Sequence, residues 1–258
     1  MIVIGERING QFSQVAKAID RRDTKLIQDL ALEQTNAGAH ILDINTGPGR
    51  DDAPVAMAWL VRTVQDVVQV RLSIDSPSLK VQQTGLAECK LDPLVNSTTA
   101  EQKRMEAFFP LAREHGAEIV CLTINEKGIP NTVEARAEIA MVLLANAMDA
   151  GIDPGKVFLD PVILPISAAQ DQCSVVYDSI TALRALNTPP PRTLVGLSNV
   201  SSGAEERSLL NRTFLAMLLG RGLDAAIVDP TDAELMRVVK ASEVLLNQRL
   251  YAHSFLKA

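Results

Sequence analysis

HILDIN, at residues 40–45, is an apolar run that ends on an acid and an amide, and seven further runs of this form occur along the chain. They recur at steps of about 22–38 residues, the length of one strand–helix unit. The other runs are IVIGE (2–6), VRLSID (70–75), PLVNS (93–97), EIVCLTIN (118–125), KVFLDP (156–161), TLVGLSN (193–199) and DAAIVD (224–229). Eight such units predict an α/β protein with a single (β/α)8 TIM barrel, whose active site would lie at the carboxyl ends of the strands.

The length and composition fit one barrel. The chain has 258 residues, close to the usual size of this fold, so residues 1–258 are predicted to form a single domain. Hydrophobic residues make up 47% of the chain, but aromatic residues only 3%. The core must therefore be aliphatic, as it is in parallel barrels, whose interiors are filled by Val, Ile and Leu.

Charge and apolar content exclude several classes of protein. The net charge is −6 and no basic block occurs, which argues against binding to nucleic acid. No apolar run reaches about 18 residues, so no membrane span is predicted. The apolar segment at the start of the chain is too short for the core of a signal peptide. Cys89, Cys121 and Cys173 lack metal-ligand spacing, and so few cysteines favour a reducing, cytoplasmic location.

Four predicted strand ends carry acids or amides: Asp75, Asn96, Asp160 and Asn199. Any one of them could simply cap the following helix or bind loop amides. As a set, at comparable points of four strands, they are predicted to converge on one mouth. Carboxylates and amides together suit a neutral heterocycle with N–H donors and carbonyl or ring-nitrogen acceptors, whereas a phosphate would need Gly-rich turns, Lys and Arg.

The histidines are not placed for catalysis. His40 opens a strand, His115 ends a helix and His253 lies in the C-terminal tail, so each is expected to be structural or exposed. No HExxH, GxSxG or P-loop motif occurs either. Asp43 and Asn45 could hold an ion, but two oxygen-bearing residues are weak support, and no intrinsic metal is predicted.

Two features flank Asn199. The small residue Gly196 would let a flat ligand lie against the backbone of residues 196–199. Arg207 opens the following helix or its loop. An arginine there is usually a surface cation, but near a pocket mouth it could instead meet an anionic tail.

Several short segments resemble the pterin-binding methyltransferases, and above all the methyltetrahydrofolate:corrinoid/iron-sulfur protein methyltransferases. The resemblance runs from residue 1 to residue 257, and related domains occur in cobalamin-dependent methionine synthase and in dihydropteroate synthase. The segments are IGERING (4–10), DINTGP (43–48), SIDS (73–76), NST (96–98), LDPVILP (159–165), GLSNVS (196–201) and NRTFLAM (211–217).

The resemblance implies a homodimeric barrel that binds methyltetrahydrofolate or tetrahydrofolate as substrate. Asp75, Asn96 and Asp160 match the family positions that bind the pterin ring. Asn199 matches the catalytic amide near N5, the nitrogen that carries the methyl group. The methyl acceptor would be cob(I)alamin, a corrinoid cofactor carried by a separate protein, with proton assistance at N5.

The resemblance assigns roles to some other positions less completely. Gly196 and Ser198 fall where the family contacts the ring, and Ser202 and Arg207 where it contacts the ring or the benzoyl-glutamate tail. Close relatives have Gln in place of Ser202, so the contact at that position is open. Arg184 lies in a region where relatives carry Lys, and no role is carried over to it.

Two rival functions stay open. Dihydropteroate synthases have a Ser-x-Arg-x-His element in the last strand region, where this chain reads AAIVDPTD (225–232) with neither Arg nor His. A catalytically silent folate-binding scaffold for a corrinoid protein is the other rival. The direction of transfer is open, and so is the partner, which could be the corrinoid/iron-sulfur protein of acetyl-CoA synthesis or the corrinoid protein of an O- or N-demethylase.

Overall fold

The structure, a computed structural model, describes residues 1–252. Its eight parallel strands close into a barrel in sequence order, which confirms the predicted TIM-barrel fold. Each strand begins within one residue of the start of a predicted run. The strands are β1 (Ile2–Asn9), β2 (Ile41–Asn45), β3 (Arg71–Asp75), β4 (Leu94–Thr99), β5 (Glu118–Leu122), β6 (Val157–Asp160), β7 (Arg192–Gly196) and β8 (Ala225–Val228).

Helices follow the strands around the outside of the barrel. They are α1 (Ser13–Arg21), α2 (Thr24–Asn36), α3 (Ala53–Gln65), α4 (Leu79–Ala87), α5 (Gln102–Glu114), α6 (Val133–Asp149), α7 (Ile166–Ala169), α8 (Gln172–Arg184), α9 (Arg207–Gly220) and α10 (Ala233–Leu245). No helix within residues 1–252 is both long and apolar enough to cross a bilayer. The end of the predicted domain at residue 258, and with it His253, lies outside the described residues.

An apolar plug fills the middle of the barrel. Seven strands each contribute one buried, inward-facing side chain to it: Ile4, Ile41, Leu94, Val120, Phe158, Leu194 and Ala225. The remaining strand, β3, places Ser73 at the corresponding height, where its hydroxyl contacts β2. Larger aliphatic clusters join the outer faces of the strands to the helices.

The layer above the plug is mostly polar. Successive side chains of a strand point to opposite faces, so the residue two positions beyond each plug residue also faces inward. These second residues are Glu6, Asp43, Asp75, Asn96, Leu122, Asp160, Gly196 and Ile227. The barrel therefore presents acids and an amide from five strands at its carboxyl end, above an apolar base.

A substitution at Gly85 tests how tightly the helices pack on this barrel. A Cβ built there would lie 2.8 Å from Met57 Cγ and 2.9 Å from Ile74 Cγ2, closer than van der Waals contact. We expect Gly85→Ala to lower the free energy of unfolding by about 1–3 kcal/mol, despite the better helix propensity of alanine. Urea denaturation measures this change.

Gly220 is the matched helical control, because no described atom lies within 4 Å of a Cβ built there. Gly220→Ala should leave the stability unchanged or raise it by up to about 1 kcal/mol. A Gly85→Ala variant as stable as Gly220→Ala would contradict the close packing of α4 on β3 and α3.

Candidate active site

A cavity of about 990 Å³ opens at the carboxyl ends of the strands. Its walls come from β1, β2, β3, β7, β8 and the N-terminal half of α9, and its size is typical of small-molecule sites. Six of the predicted site residues line it: Asp75, Gly196, Ser198, Asn199, Ser202 and Arg207. Within residues 1–252, Asn96 and Asp160 are not part of this lining.

One wall of the cavity is an acid pair on neighbouring strands. Asp43 accepts hydrogen bonds from Ser73 Oγ at 2.5 Å and from Asn96 Nδ2 at 3.1 Å. Asp75 accepts one from Asn45 Nδ2 at 2.6 Å. Burial, and then the nearby Asp75 carboxyl, raise the pKa of Asp43 well above its usual range, and burial also raises the pKa of Asp75. Burial therefore disfavours two simultaneous negative charges on this wall.

The ends of β3 and β4 are held in register by Gln82 of α4. This side chain is fully buried. Its Nε2 donates to the backbone oxygens of Ile74 at 2.7 Å, Ser76 at 3.0 Å and Asn96 at 2.8 Å. Asp75 and Asn96 are thus fixed relative to each other. Within the described chain, Asn96 does not reach the cavity itself but donates a hydrogen bond to Asp43, which lines it.

Asp160 ends β6 and is 7% exposed. Its Oδ1 accepts a hydrogen bond at 2.7 Å from the N–H of Val162, whose φ of 66° is unusual for a β-branched residue. Burial raises the pKa of the Asp160 carboxyl to about 7, against the Val162 hydrogen bond and the charge of Arg136. The strained residue next to the acid is the kind of feature found at functional sites.

Arg136 is the cation whose field reaches Asp160. It is fully buried on α6, where Nε donates to Pro130 O at 3.0 Å and Nη2 to Gln172 Oε1 at 3.1 Å. Its Nη1 has no hydrogen-bond partner among the described residues. The side chain therefore links the loop before α6 to α8 and keeps a positive charge behind Asp160.

The opposite wall is the turn after β7. Asn199 is exposed to the cavity, and its side-chain amide makes no hydrogen bond within residues 1–252. A Cβ at Gly196 would come within 3.1 Å of Asn199 Nδ2, so glycine leaves room for that amide. Arg207 donates through Nε to Ser201 Oγ at 3.2 Å and through Nη2 to Ser198 O at 3.5 Å. Its guanidinium lines the cavity without a carboxylate partner in the described chain.

Ser202 also lines the cavity from this turn. Its hydroxyl lies 3.5 Å from Ser198 O, and its backbone oxygen accepts from Ser167 Oγ at 3.2 Å. The short side chain stays close to its own turn. It is a polar part of the wall rather than an arm that extends across the cavity.

Glu6 on β1 completes the polar floor. Its Oε1 accepts a hydrogen bond from Ser198 Oγ at 2.7 Å, which joins β1 to the turn after β7. Burial raises the pKa of Glu6 to about 7; the Ser198 hydrogen bond and Arg207 oppose this rise, and Asp229 adds to it. Near neutral pH this carboxyl therefore exists in both protonation states.

These groups suit a flat, neutral, polar ligand. Partly protonated carboxyl groups can donate and accept hydrogen bonds, as can the amides of Asn199 and Asn96. A flat heterocycle with N–H donors and ring-nitrogen or carbonyl acceptors can satisfy them without bringing net charge into the buried floor. Among the described residues no group of three or more His, Cys, Asp or Glu side chains is placed to hold a metal ion.

The sequence analysis did not assign two acids of this floor to the ligand site, although it considered Asp43 as an ion ligand, and it named one cation that lies elsewhere. Glu6 and Asp43 lie two positions beyond the plug residues Ile4 and Ile41, so strand alternation could have identified them. Arg184 instead forms an ion pair with Asp224, just before β8, at the other end of the barrel. Asn125, at the end of its predicted run, lies beyond β5 in a turn with Gly128.

The polar floor above an apolar plug gives this barrel a mouth suited to a small, flat heterocycle. Residues 5–229 match the family described as pterin binding enzyme, and the chain belongs to that family.

Two relatives span most or all of this chain. The methylcorrinoid:tetrahydrofolate methyltransferase of Eubacterium limosum is 31% identical, over 100% of this chain and 96% of its own length. The methionine synthase of Mycobacterium leprae is 32% identical over 88% of this chain, which corresponds to 20% of that enzyme. The chain thus matches nearly the whole of the first protein and about one fifth of the second.

Solved structures share the fold at low identity. The dihydropteroate synthase of Yersinia pestis superposes with a TM-score of 0.68 at 16% identity, over 95% of this chain and 93% of that one. The enzyme from Thermus thermophilus gives 0.69 at 19% identity, over 97% and 94%. At this identity the likeness establishes the barrel and no activity.

Asp160→Asn tests the protonation of the buried floor. Because the folded-state pKa of Asp160 is raised to about 7, the acid contributes stability below its unfolded pKa that is lost as the pH rises through about 7. The amide cannot ionise and can still accept from Val162. At pH 8 the variant should be more stable than the wild type, by up to about 4 kcal/mol.

The same comparison at low pH is its control. Towards pH 4 the Asp160 carboxyl is protonated in the folded state and partly so in the unfolded state, so the difference in unfolding free energy should shrink. Urea denaturation at the two pH values measures both. A variant less stable than the wild type at pH 8 would show that Asp160 is ionised and stabilising.

Proposed function

We propose that this protein transfers a methyl group between N5 of methyltetrahydrofolate and cob(I)alamin held by a separate corrinoid protein. The observation that carries the proposal is the full-length match to the methylcorrinoid:tetrahydrofolate methyltransferase, combined with a polar floor suited to a pterin. The partial match to methionine synthase supports the same chemistry. The described residues form the barrel, and the resemblance assigns the corrinoid to a partner protein.

The pterin ring would lie on the floor between the two polar walls. Asp75 and Asp160 are the acceptors proposed for its amino and lactam N–H groups, and Asn96 supports the site through Asp43. Asp160 is largely covered, so ring contact at this position requires the ligand to reach the β6 end of the floor. Holding the ring there orients N5 towards the mouth, where a cobalt nucleophile can approach in line.

Asn199 is the proposed catalytic residue. A tertiary amine leaves readily only when N5 becomes positively charged, so proton uptake must accompany methyl transfer. The unpartnered Asn199 amide oxygen can accept a hydrogen bond from protonated N5–H, an interaction that strengthens as the charge develops. Gly196 and Ser198 would form the wall against which the ring lies.

The anionic tail of the folate would extend along the α9 side of the cavity. Arg207 is the cavity arginine with no carboxylate partner among residues 1–252, whereas the nearby Arg212 is paired with Asp232 at 2.6 Å. A glutamate carboxylate would therefore bind at Arg207, beside the backbone turn of Ser202. The short Ser202 side chain leaves more of this contact to Arg207.

The partner and the assembly are also proposed from the resemblance. A corrinoid protein, either a corrinoid/iron-sulfur protein or the corrinoid protein of a demethylase, would dock over the barrel mouth. We further propose a cytoplasmic homodimer. The dihydropteroate synthase alternative is not favoured, because Asp229 and Thr231 occupy the region after β8 where that family has Arg and His.

Two alanine substitutions separate binding from chemistry. Asp160→Ala should weaken methyltetrahydrofolate binding by about 1–3 kcal/mol, roughly 5- to 150-fold in Kd, because ring N–H groups lose their acceptor. Asn199→Ala should lower the methyl-transfer rate more than the affinity, because its best hydrogen bond forms only once N5 is protonated. Calorimetry gives the Kd, and rapid-mixing absorbance of cob(I)alamin gives the rate.

Asn146→Ala is the control, because Asn146 lies on α6 and donates only to Val142 O of its own helix. It should leave both quantities unchanged. Equal losses of affinity and rate in Asn199→Ala would contradict the proposed role of the amide. Wild-type protein that binds methyltetrahydrofolate without transferring its methyl group would favour the silent-scaffold alternative.

A further inference from the structure

The proposed reaction needs a proton at N5, and none of the residues predicted to contact N5 is an acid. Asn199 can stabilise a protonated N5 but cannot supply the proton at neutral pH. A carboxyl group that holds a proton near neutral pH, lies at the cavity surface and has an oxygen free to donate would meet the need. Four acids of the floor are the candidates: Asp43 and Asp160, which are buried, and Glu6 and Asp75, which are half-buried.

Three of these acids are less suited to this role because, in the described part of the chain, two are held by other side chains and one does not line the cavity. Asp43 accepts from Ser73 and from Asn96 and interacts with Asp75, on the wall formed by β2 and β3. Asp75 is further held by Asn45. Asp160 does not line the cavity within the described chain. All three belong to the part of the floor proposed to hold the ring.

We infer that Glu6 is the general acid that delivers the proton to N5, with Ser198 holding its carboxyl group in position. Glu6 lines the cavity beside the turn that carries Ser198 and Asn199. Ser198 Oγ donates to Oε1 at 2.7 Å, and Oε2 has no hydrogen-bond partner within residues 1–252. A proton on Oε2 is therefore available to the ligand on the Asn199 side of the cavity. This inference rests on the proposed function.

The surroundings of Glu6 favour neither the protonated nor the ionised form of its carboxyl group strongly. Burial raises its pKa to about 7, Ser198 and Arg207 favour the carboxylate, and Asp229 favours the acid. The charged groups that face it come from three elements: Asp43 on β2, Asp229 after β8 and Arg207 at the start of α9. An acid with such a pKa can give up a proton during the reaction and regain it from water afterwards.

The step balances without a further reactant. The Glu6 O–H bond breaks as an N–H bond forms at N5, and the Asn199 amide oxygen accepts from that N–H. The electron pair of cob(I)alamin then forms the cobalt–carbon bond, while the N5–CH3 pair stays on the nitrogen. The products are tetrahydrofolate, methylcobalamin and the Glu6 carboxylate, which takes a proton from solvent. In the reverse direction the carboxylate removes the proton from N5.

Glu6→Gln tests the assignment, because the amide keeps the shape and the Ser198 hydrogen bond but has no acidic proton. We expect the single-turnover rate from saturating methyltetrahydrofolate to free cob(I)alamin to fall about 10²-fold or more. The Kd for methyltetrahydrofolate should change less than threefold. The wild-type rate should fall as the pH rises through about 7, and the variant should lose this dependence.

Three variants make the test specific. Glu6→Asp keeps an acid and should recover part of the rate together with its pH dependence. Ser198→Ala removes a hydrogen bond that favours the carboxylate, so the midpoint of the pH profile should move to higher pH. Glu88→Gln, at a surface ion pair with Arg62, should behave as wild type.

Three results would overturn the role of Glu6, and a fourth would refute the proposed function. A Glu6→Gln rate within threefold of wild type overturns the inference, and so does an affinity loss equal to the rate loss. If Glu6→Gln does not fold, an unchanged pH midpoint in Ser198→Ala overturns it. A wild-type protein that transfers no methyl group would instead refute the proposed function.

Discussion

The alternation of side chains along eight closed parallel strands determines this site. Every second residue of a strand must face the barrel interior, so the interior is built in layers. One layer is the apolar plug that includes Ile4 and Phe158, and the next contains Glu6, Asp43, Asp75, Asn96 and Asp160. The fold cannot bury the first layer without also drawing the second out of bulk water, and the chemistry of the cavity follows from that coupling.

Withdrawal from water changes what the acids can do. A carboxyl group in this layer resists ionisation, which is why the pKa values of Glu6 and Asp160 rise to about 7. The acids are also divided between two walls. Asp43 and Asp75 are tied to each other and to amides of β2 and β4, whereas Glu6 is tied to Ser198. One wall is therefore suited to holding a ring and the other to moving a proton.

The sequence predicted the strands closely because each is a short apolar run bounded by turn residues. It also placed Asp75 and Asn199 at the cavity, since Asp75 ends its strand and Asn199 lies in the turn directly after its strand. It could not show that Asn96 lies behind Asp43, or that Asp160 is covered, because these depend on how neighbouring strands are staggered. The Glu6–Ser198 contact joins residues 192 positions apart and exists only once the barrel closes. Strand alternation could have identified Glu6 from the sequence, because it lies two residues beyond the plug residue Ile4.

The most direct test of the account is a crystal structure of the protein with methyltetrahydrofolate bound. The pterin ring is expected on the polar floor, with its N–H groups on Asp75 and Asp160, N5 beside Asn199, and the tail directed towards Arg207. A ring bound in the outer part of the cavity, near Arg212 and Asp232 and without contact to the acids of the floor, would contradict it.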